Sequence, residues 1–342
     1  MTSDRFLKAC RREPVDRTPV WFMRQAGRYM KEYQQVRAKH SILDVCKTPE
    51  LAAEVTLQPV ERFALDAAII FADILLVLEP MGLELTFHEQ KGPVILNPVR
   101  NQDDIGRLRR VDGEAFRFSA EAVGMAKTML DGRVPLIGFA GAPFTLASYA
   151  IEGGSSRNHV TTKQLMFRRP DQWHVLLEKL SDGIAAYLQN QIQAGAQAVQ
   201  IFDSWVGCLS PGDYKKYVLP SITSLIGRLK PAGVPIIYFG TGTSTLLPLM
   251  RSAGSDVLGL DWHVELDEAW ARVGFDVAVQ GNLDPVALFA SLPELECRVH
   301  DILQRAGNRV GHIFNLGHGI LPQTPVEHVE AAIEYVHAYG TR

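Results

Sequence analysis

The sequence predicts an α/β protein folded as a single (β/α)8 TIM barrel, with a small β-hairpin inserted after the second βα unit. Short apolar runs that resemble fully buried strands alternate with longer amphipathic segments, which is typical of a parallel sheet covered by helices. Eight such units fit the 342 residues, since a barrel of this class takes roughly 250 residues plus insertions. An open doubly wound sheet is the alternative architecture.

The individual elements follow from this alternation. The predicted strands are 20–23, 67–70, 134–138, 198–202, 234–238, 257–260, 277–280 and 312–315. The predicted helices between them include 49–63, 114–130, 171–194, 211–230 and 285–306. No linker and no shift in composition marks a boundary, so we expect one domain over 1–342.

One segment interrupts the strand–helix alternation. Residues 83–87 and 93–96 are strand-like, and they flank a polar stretch, 89–92, that contains glycine. Two short strands joined by such a stretch favour a β-hairpin. We therefore place the predicted insertion here.

Composition and charge exclude several classes of protein. With 46% apolar residues, 21% charged residues and a net charge of −3, neither nucleic acid nor an anionic membrane is an expected partner. The four cysteines are scattered without a CxxC pair, which argues against a zinc site or a disulfide framework and fits a reducing cytoplasm. The most apolar stretch, 67–78, is interrupted by Asp73 and is too short to span a bilayer. We expect a cytoplasmic protein.

Catalytic residues in this architecture lie just past the carboxyl ends of the strands. No lysine occurs at these positions, which argues against a Schiff-base aldolase. No HxH, HxC or HExxH spacing accompanies the histidines, so no metal is predicted. The strand-end candidates are Arg24, Arg28, Asp73, Tyr149, Asp203, Ser204, the 240–243 loop, 261–263, 281–284 and His318.

Arg24 and Arg28 are the most distinctive of these candidates. Each guanidinium is a planar fork of donors that matches a carboxylate or phosphate and cannot lose its charge. If the segment is helical, the two side chains share one face, and if Gly27 forms a tight loop they can converge from opposite sides. Two solvated surface arginines remain the alternative.

The other candidates also have structural alternatives. Asp73 lies in an apolar context where an anion needs donors or a cation, but it could instead cap a helix that starts at Ile74. His318 lies between two glycines that allow a ligand to approach the backbone closely, or it could be a loop histidine with its own partners. Tyr149 could belong to the core, and Ser204 could be a cap.

The segment 21–30, WFMRQAGRYM, resembles the N-terminal signature of the uroporphyrinogen decarboxylase family, although Lys31 stands where proline is expected. Further segments that resemble this family lie at strand ends. They are 68–75 (AIIFADIL), 141–146 (GAPFTL) with Tyr149 and 152–154, 202–205 (FDSW), 280–285 (QGNLDP) and 314–319 (FNLGHG). The resemblance extends over nearly the whole chain, and the motifs are specific as a set.

The resemblance implies a homodimeric barrel enzyme that works without cofactor or metal. The implied reaction is that of a carboxy-lyase of haem and tetrapyrrole biosynthesis, which removes the four acetate carboxyl groups of uroporphyrinogen to give coproporphyrinogen. Asp203 stands where the family commonly has glutamate. The resemblance and the signature segment together imply Asp73 and Arg24 as catalytic residues, and Arg24, Gln25, Ala26, Gly27, Arg28, Asp73, Tyr149, Ser204 and His318 as substrate-binding residues.

The chemistry of this substrate suits the implied residues. Asp73 could accept hydrogen bonds from the pyrrole N–H groups and stabilise a cationic intermediate, while Arg24 and Arg28 bind carboxylates. The identity of the general acid stays open. A non-catalytic tetrapyrrole carrier is one alternative function. A methyltransferase of the same superfamily is another, and it is disfavoured because its His-x-Cys zinc motif is missing.

Overall fold

The computed structural model describes residues 4–88 and 92–341. Among them, nine strands form one seven-stranded parallel sheet and one two-stranded antiparallel sheet. The strands are β1 Ala68–Ile69, β2 Leu85–His88, β3 Gly92–Ile95, β4 Leu136–Gly141, β5 Ala198–Asp203, β6 Ile236–Gly240, β7 Val257–Gly259, β8 Ala278–Gln280 and β9 His312–Ile313.

Helices precede, separate and follow the strands of the parallel sheet. The α-helices are α1 Arg5–Cys10, α2 Lys31–Arg37, α3 Ile42–Lys47, α4 Pro49–Arg62, α5 Gln102–Arg107, α6 Arg117–Leu130, α7 Pro143–Glu152, α8 Val160–Arg168, α9 Pro170–Gln193, α10 Pro211–Tyr217, α11 Leu219–Leu229, α12 Leu247–Ser252, α13 Leu266–Val273, α14 Leu292–Ala306 and α15 Val326–Tyr339. Short 3₁₀ helices occupy Gly113–Phe116, Val206–Cys208, Lys230–Ala232 and Pro285–Phe289. No helix in the described part of the chain is long and apolar enough to cross a membrane.

The strands of the parallel sheet pair in chain order, from β1 through β4 to β9. The segment around Val20 lies between its two edges. Val20 forms a parallel bridge with Phe314, just past β9, and its carbonyl accepts the N–H of Asp66, just before β1, at 2.8 Å. The first predicted strand therefore contacts both edges of the sheet.

The concave side of the sheet is filled by side chains from nearly every strand. An apolar cluster joins α1 to Trp21 and to inward-facing residues such as Ile137, Ile237 and Ile313. Nearer the carboxyl ends, the indole of Trp21 donates to Gln280 at 3.0 Å, and Gln280 donates to Gln200 at 3.1 Å. This satisfied polar pair lies within the apolar cluster, which continues to the strand ends through Met23 and Phe239.

The observed strands overlap the predicted runs, with shifts at several ends, except at 20–23, where only Val20 makes a ladder contact. The strands β2 and β3 pair antiparallel, with Thr86 opposite Val94. This pair lies between β1 and α6, before the second long helix, and its predicted turn at 89–91 is outside the described residues.

Three predicted helices are interrupted. The predicted helix 211–230 is divided into α10 and α11 at Val218, and 285–306 is divided into a 3₁₀ helix and α14. Pro220 and Pro293 lie in the first turns of the new helices, where the missing N–H costs nothing, whereas inside a continuous helix each ring would clash with the preceding turn. The predicted helix 114–130 begins as a separate 3₁₀ turn.

Candidate active site

A cavity of about 240 Å³ opens at the carboxyl ends of the parallel strands. It brings together five strand-end candidates, each contributed by a different part of the chain. The lining residues are Met23, Arg24, Ala26, Ile69, Ile70, Phe71, Ala72, Asp73, Ile74, Leu75, Pro93, Phe139, Tyr149, Phe202, Ser204, Phe239, His318 and Gly319.

The floor of the cavity is aromatic. Phe139, Phe202 and Phe239 lie on the neighbouring strands β4, β5 and β6. Phe202 packs edge-on against Phe139 at 5.4 Å and against Phe239 at 5.8 Å, measured between ring centroids. This apolar floor lowers the local dielectric, so it strengthens the electrostatic effect of the few polar groups above it.

Asp73 is the acidic residue of the cavity wall. Its Oδ1 accepts the N–H of Leu75 at 2.9 Å, which ties the carboxylate to its own turn. Burial among apolar side chains raises the pKa of Asp73, while the Leu75 N–H and the positive charge of Arg24 oppose the rise. The structural alternative expected a helix that starts at Ile74, but Asp73 caps a turn instead, and it lines the cavity as well.

Arg24 occupies an unusual backbone conformation, with φ at +60°. A tight turn in which the N–H of Gln25 bonds the carbonyl of Phe22 at 3.0 Å holds it there. Its side chain passes over Gly319, where an added Cβ would lie 2.4 Å from the Arg24 Cδ. Arg24 is exposed, and within the described residues no acidic group lies within 4 Å of its guanidinium. Its charge is therefore available to a ligand.

Tyr149 projects from α7 into the cavity and stacks on Trp205. The ring centroids are 3.8 Å apart and the planes are inclined by 27°. Burial, together with the nearby charge of Asp73, raises the pKa of Tyr149 and keeps the phenol protonated. Tyr149 can therefore donate a hydrogen bond at any ordinary pH.

His318 lines the cavity from the loop that follows β9. Burial and the positive charge of Arg24 lower its pKa to about 4, so the imidazole is neutral near pH 7. Its ring packs edge-on against Trp262 at 6.5 Å. A neutral imidazole offers one donor and one acceptor, and it adds no cation to the cavity.

Three residues of the predicted substrate-binding set, Gln25, Gly27 and Arg28, do not line the cavity. The buried Gln25 side chain accepts the N–H of Phe22 at 3.1 Å and donates to the carbonyl of Ala67 at 3.2 Å. Turns, and no helix, connect Arg24 to Arg28, which is exposed.

Arg28 belongs to the same turn-containing segment as the lining residues Arg24 and Ala26. Tyr33, which follows it, has its ring centroid 5.4 Å from that of the lining residue Phe71. The substrate-binding role of Gln25, Gly27 and Arg28 stays a prediction.

Other strand-end groups have partners within the protein. The N–H of Gly242, in the loop after β6, donates to the carboxylate of Asp261, so this loop does not present that amide to an anion. Asp261 also bonds the ring of His263 at 2.9 Å. Among residues 4–88 and 92–341, no group of three or more His, Cys, Asp or Glu side chains is arranged to hold a metal ion.

Sequence reasoning missed the aromatic floor and the partner of Tyr149. Phe202 and Phe239 occupy adjacent places in the register of β5 and β6, near the strand ends. Large aromatic residues near the carboxyl ends of neighbouring strands are the signal that could have found them. Nothing in the sequence pairs Trp205 with Tyr149, since that contact depends on how α7 packs.

Comparison with known proteins supports a single assignment. The model of the family described as uroporphyrinogen decarboxylase (URO-D) matches residues 1–339. Uroporphyrinogen decarboxylase of Roseiflexus sp. strain RS-1 is 57% identical over 99% of both chains. The enzyme of the same name from Carboxydothermus hydrogenoformans is 56% identical over 98% of this chain and 96% of its own length.

Among solved structures, a methyltransferase from Methanosarcina mazei superposes with a TM-score of 0.80 over 99% of this chain and 98% of that one. At 19% identity this likeness concerns the fold alone. The family model and the relatives cover the whole cavity wall, from Arg24 to His318. The chain belongs to the uroporphyrinogen decarboxylase family.

Proposed function

We propose that this protein is a carboxy-lyase that removes the four acetate carboxyl groups of uroporphyrinogen and yields coproporphyrinogen, in tetrapyrrole biosynthesis. The observation that carries the proposal is an apolar cavity, in a chain of this family, that holds an anion, Asp73, and a cation, Arg24, with no acidic partner within 4 Å among residues 4–88 and 92–341. The reaction as proposed uses no cofactor and no metal.

The charges around the cavity suit a polyanionic macrocycle. Uroporphyrinogen carries eight carboxylates around a ring whose pyrrole N–H groups point inward. The cavity of about 240 Å³ is open at the carboxyl ends of the strands, so a macrocycle can approach it from that side. In our proposal Arg24 binds a carboxylate at the cavity and Arg28 binds one outside it, with Gln25, Ala26 and Gly27 forming the turn between them.

Asp73 is the proposed electrostatic catalyst. Protonation of one pyrrole ring at carbon creates a cation that accepts the electron pair released when the bond to the carboxyl carbon breaks. A second proton then adds to the former acetate carbon and gives a methyl group, and the ring carbon loses the proton that it first accepted, which restores the neutral pyrrole. The Asp73 carboxylate accepts hydrogen bonds from the pyrrole N–H groups and stabilises the cation. The apolar surroundings of Asp73 strengthen this electrostatic effect.

The neutral polar groups have binding roles in this proposal. Tyr149, Ser204 and His318 lie on the same cavity wall and bind carboxylates of the substrate by hydrogen bonds. Tyr149 is protonated and His318 is neutral near pH 7, so neither repels an anion. Arg24, beside both Asp73 and His318, is the second proposed catalytic residue because it orients the reacting acetate.

We also propose the finer architecture. The bridge between Val20 and Phe314 and the bond from Asp66 to Val20 support an eight-stranded (β/α)8 barrel closed by the first strand. The strands β2 and β3 would be an insertion into that barrel, and residues 1–342 one domain. The family resemblance further supports a homodimer that works in the cytoplasm.

An anaerobic assay tests the proposed reaction. Purified protein is incubated with uroporphyrinogen, with and without a metal chelator, and carbon dioxide and porphyrinogen products are quantified. We expect four molecules of carbon dioxide per uroporphyrinogen, coproporphyrinogen as the final product, and equal rates with chelator. Binding of uroporphyrinogen without release of carbon dioxide would instead identify a carrier.

A further inference from the structure

A second carboxylate lies behind the cavity wall and takes no part in the proposed chemistry. Asp203, at the end of β5, is completely buried. Among the described ion pairs none involves it, so no cation offsets its charge. Thr145 donates to its Oδ1 at 2.7 Å and Tyr238 donates to its Oδ2 at 2.8 Å. The backbone N–H of Thr145 also bonds this carboxylate. A buried anion held by neutral donors alone is costly, and such networks tend to fix a unique arrangement.

The direction of each hydrogen bond in this network follows from the single proton that each hydroxyl group carries. Tyr238 uses its single proton on Asp203, so at the 3.2 Å contact between the two phenols Tyr214 must donate to Tyr238. Thr145 likewise gives its proton to Asp203, and its oxygen accepts the backbone N–H of Trp205 at 3.3 Å. Every donor therefore points towards the carboxylate.

This network reaches the cavity through Trp205 and Ser204. The side chain of Asp203 and the N–H of Trp205 are both tied to Thr145, so the backbone of Ser204 is fixed on either side. The carbonyl of Ser204 also accepts a hydrogen bond from Thr241. Ser204 lines the cavity, and its position depends on groups that do not.

The same helix also fixes the indole of Trp205. Thr145 and Tyr149 are one turn apart on α7, so their side chains lie on the same face. Thr145 bonds the backbone of Trp205, while Tyr149 stacks on its ring at 3.8 Å. The ring of His159 lies 4.9 Å from the same indole. Trp205 is thus held by its backbone and by its ring.

We propose that Asp203, with Thr145 and Tyr238, is a positioning residue that sets the places of Ser204 and Tyr149 in the cavity wall through Trp205. The inference rests on the proposed binding roles of Tyr149 and Ser204. It predicts that removing a hydroxyl of the network impairs catalysis through Tyr149, even though Thr145 and Tyr238 do not line the cavity.

A double-mutant cycle tests the proposal. Thr145→Val, Tyr149→Phe and the double variant are compared by kcat and KM in the decarboxylation assay. We expect Thr145→Val to lower kcat/KM roughly tenfold, the effect of about one hydrogen bond. In the double variant the two losses should combine to clearly less than their product, because both act on the Tyr149 hydroxyl. Thr145→Ser keeps the hydroxyl, so its kcat/KM should stay within about twofold of that of the unmodified protein.

Two further variants separate positioning from folding. Tyr238→Phe removes the other donor to Asp203 and should also lower kcat/KM, and it serves in the cycle if Thr145→Val does not fold. Tyr187→Phe is the matched control, because Tyr187 is a buried tyrosine of α9 that lies outside the Asp203 network and does not line the cavity. It should leave kcat/KM unchanged. Urea unfolding of each variant verifies that the assays measure folded protein.

The outcomes are distinct. Losses that multiply in the double variant, or full kcat/KM in both Thr145→Val and Tyr238→Phe, would overturn the positioning role. Absence of carbon dioxide release by the unmodified protein would overturn the proposed function itself. An active protein in which Tyr149→Phe has no effect would remove the route through Tyr149, and with it this inference.

Discussion

Two arginines at opposite ends of the sheet have opposite surroundings. Arg5, on α1, forms hydrogen-bonded ion pairs with Asp16 and with the nearly buried Asp66, just before β1, and these acidic partners raise its pKa. Arg24, at the carboxyl ends, has no acidic partner within 4 Å among the described residues. Charges at the amino ends attach α1 to the sheet, whereas charges at the carboxyl ends are left for a ligand.

The carboxylates follow the same division. Asp66 accepts the N–H of Val20 at 2.9 Å in addition to its bond from Arg5. Asp73 has the N–H of Leu75 as its one hydrogen-bond donor in the described part of the chain. An incompletely paired anion in apolar surroundings destabilises the empty protein, and such strained electrostatics is typical of functional sites. The comparison therefore separates residues that stabilise the fold from residues that we propose for the reaction.

The largest predicted effect concerns Asp73. Asp73→Asn should lower kcat by about 10²–10³-fold, because a neutral amide cannot stabilise a cationic intermediate. Its free energy of unfolding should be equal or higher, since the substitution removes a buried charge. Steady-state kinetics and urea unfolding measure both quantities.

The control is Asp284→Asn. Asp284, just past β8, bonds the N–H of Val286 at 2.9 Å in the same local pattern, but it does not line the cavity. It should keep full activity. Near-normal turnover by Asp73→Asn would remove Asp73 from the mechanism.

The next largest effects concern the two arginines. Substitution of Arg24 should change the kinetics, whereas substitution of Arg5 should change the stability. Arg24→Ala should lower kcat/KM about 10–100-fold through lost carboxylate contacts, with stability unchanged. Arg5→Ala should cost about 3 kcal/mol of unfolding free energy, since it removes the nearer guanidinium partner of the buried Asp66 and leaves only that of Arg17, at 3.9 Å. It should leave the kinetics of folded protein unchanged.

Salt sharpens this contrast. The kinetic cost of Arg24→Ala should shrink as ionic strength rises, because screening already weakens the contact in the unmodified protein. A stability loss in Arg24→Ala as large as that in Arg5→Ala would contradict the division between the two ends.

The smallest predicted effect is a pH dependence from His318. Its pKa of about 4 in the folded protein lies below the ordinary value of 6.5, so between these values the unfolded chain binds more protons. The contribution of His318 to the free energy of unfolding is complete above pH 6.5 and is lost as the pH falls towards 4. Between pH 7.5 and pH 4.5, the free energy of unfolding of the unmodified protein should therefore fall by up to about 2 kcal/mol more than that of His318→Asn.

Comparison of the two proteins is essential here, because Asp203, with a pKa raised to about 6, contributes a change of opposite sign in both. Urea unfolding at several pH values measures the difference. Parallel curves for the two proteins would show that His318 is not linked to folding.

Much of the fold follows from local patterns. Continuous apolar runs located β4, β5 and β6 within three residues at every end, because strands buried on both faces tolerate few polar residues. Amphipathic spacing was less reliable at Pro220 and Pro293, where the apolar pattern continues across a break. The prolines themselves carried that information, since each is disfavoured inside a helix.

The site was predictable where it depends on topology. Asp73, Ser204 and His318 meet because each follows a strand of the same sheet, and carboxyl ends of parallel strands lie together. The place of Arg28 depends on the dihedral angles of one turn, and the Trp205 stack depends on the packing of α7. Neither is encoded in spacing along the chain, so only the three-dimensional structure gives them.

The bridge between Val20 and Phe314 has a consequence for synthesis on the ribosome. The segment around Val20 is synthesised long before its partner Phe314, so it can pair with that partner only late in synthesis. At 5–20 residues per second, Trp21 and Phe22 wait roughly 15 to 60 s before the partner segment exists. During that interval these two aromatic side chains, which are fully buried in the finished protein, lack the contacts that the segment around Phe314 later provides. We therefore expect these two side chains to remain accessible on the nascent chain until the partner segment has been made.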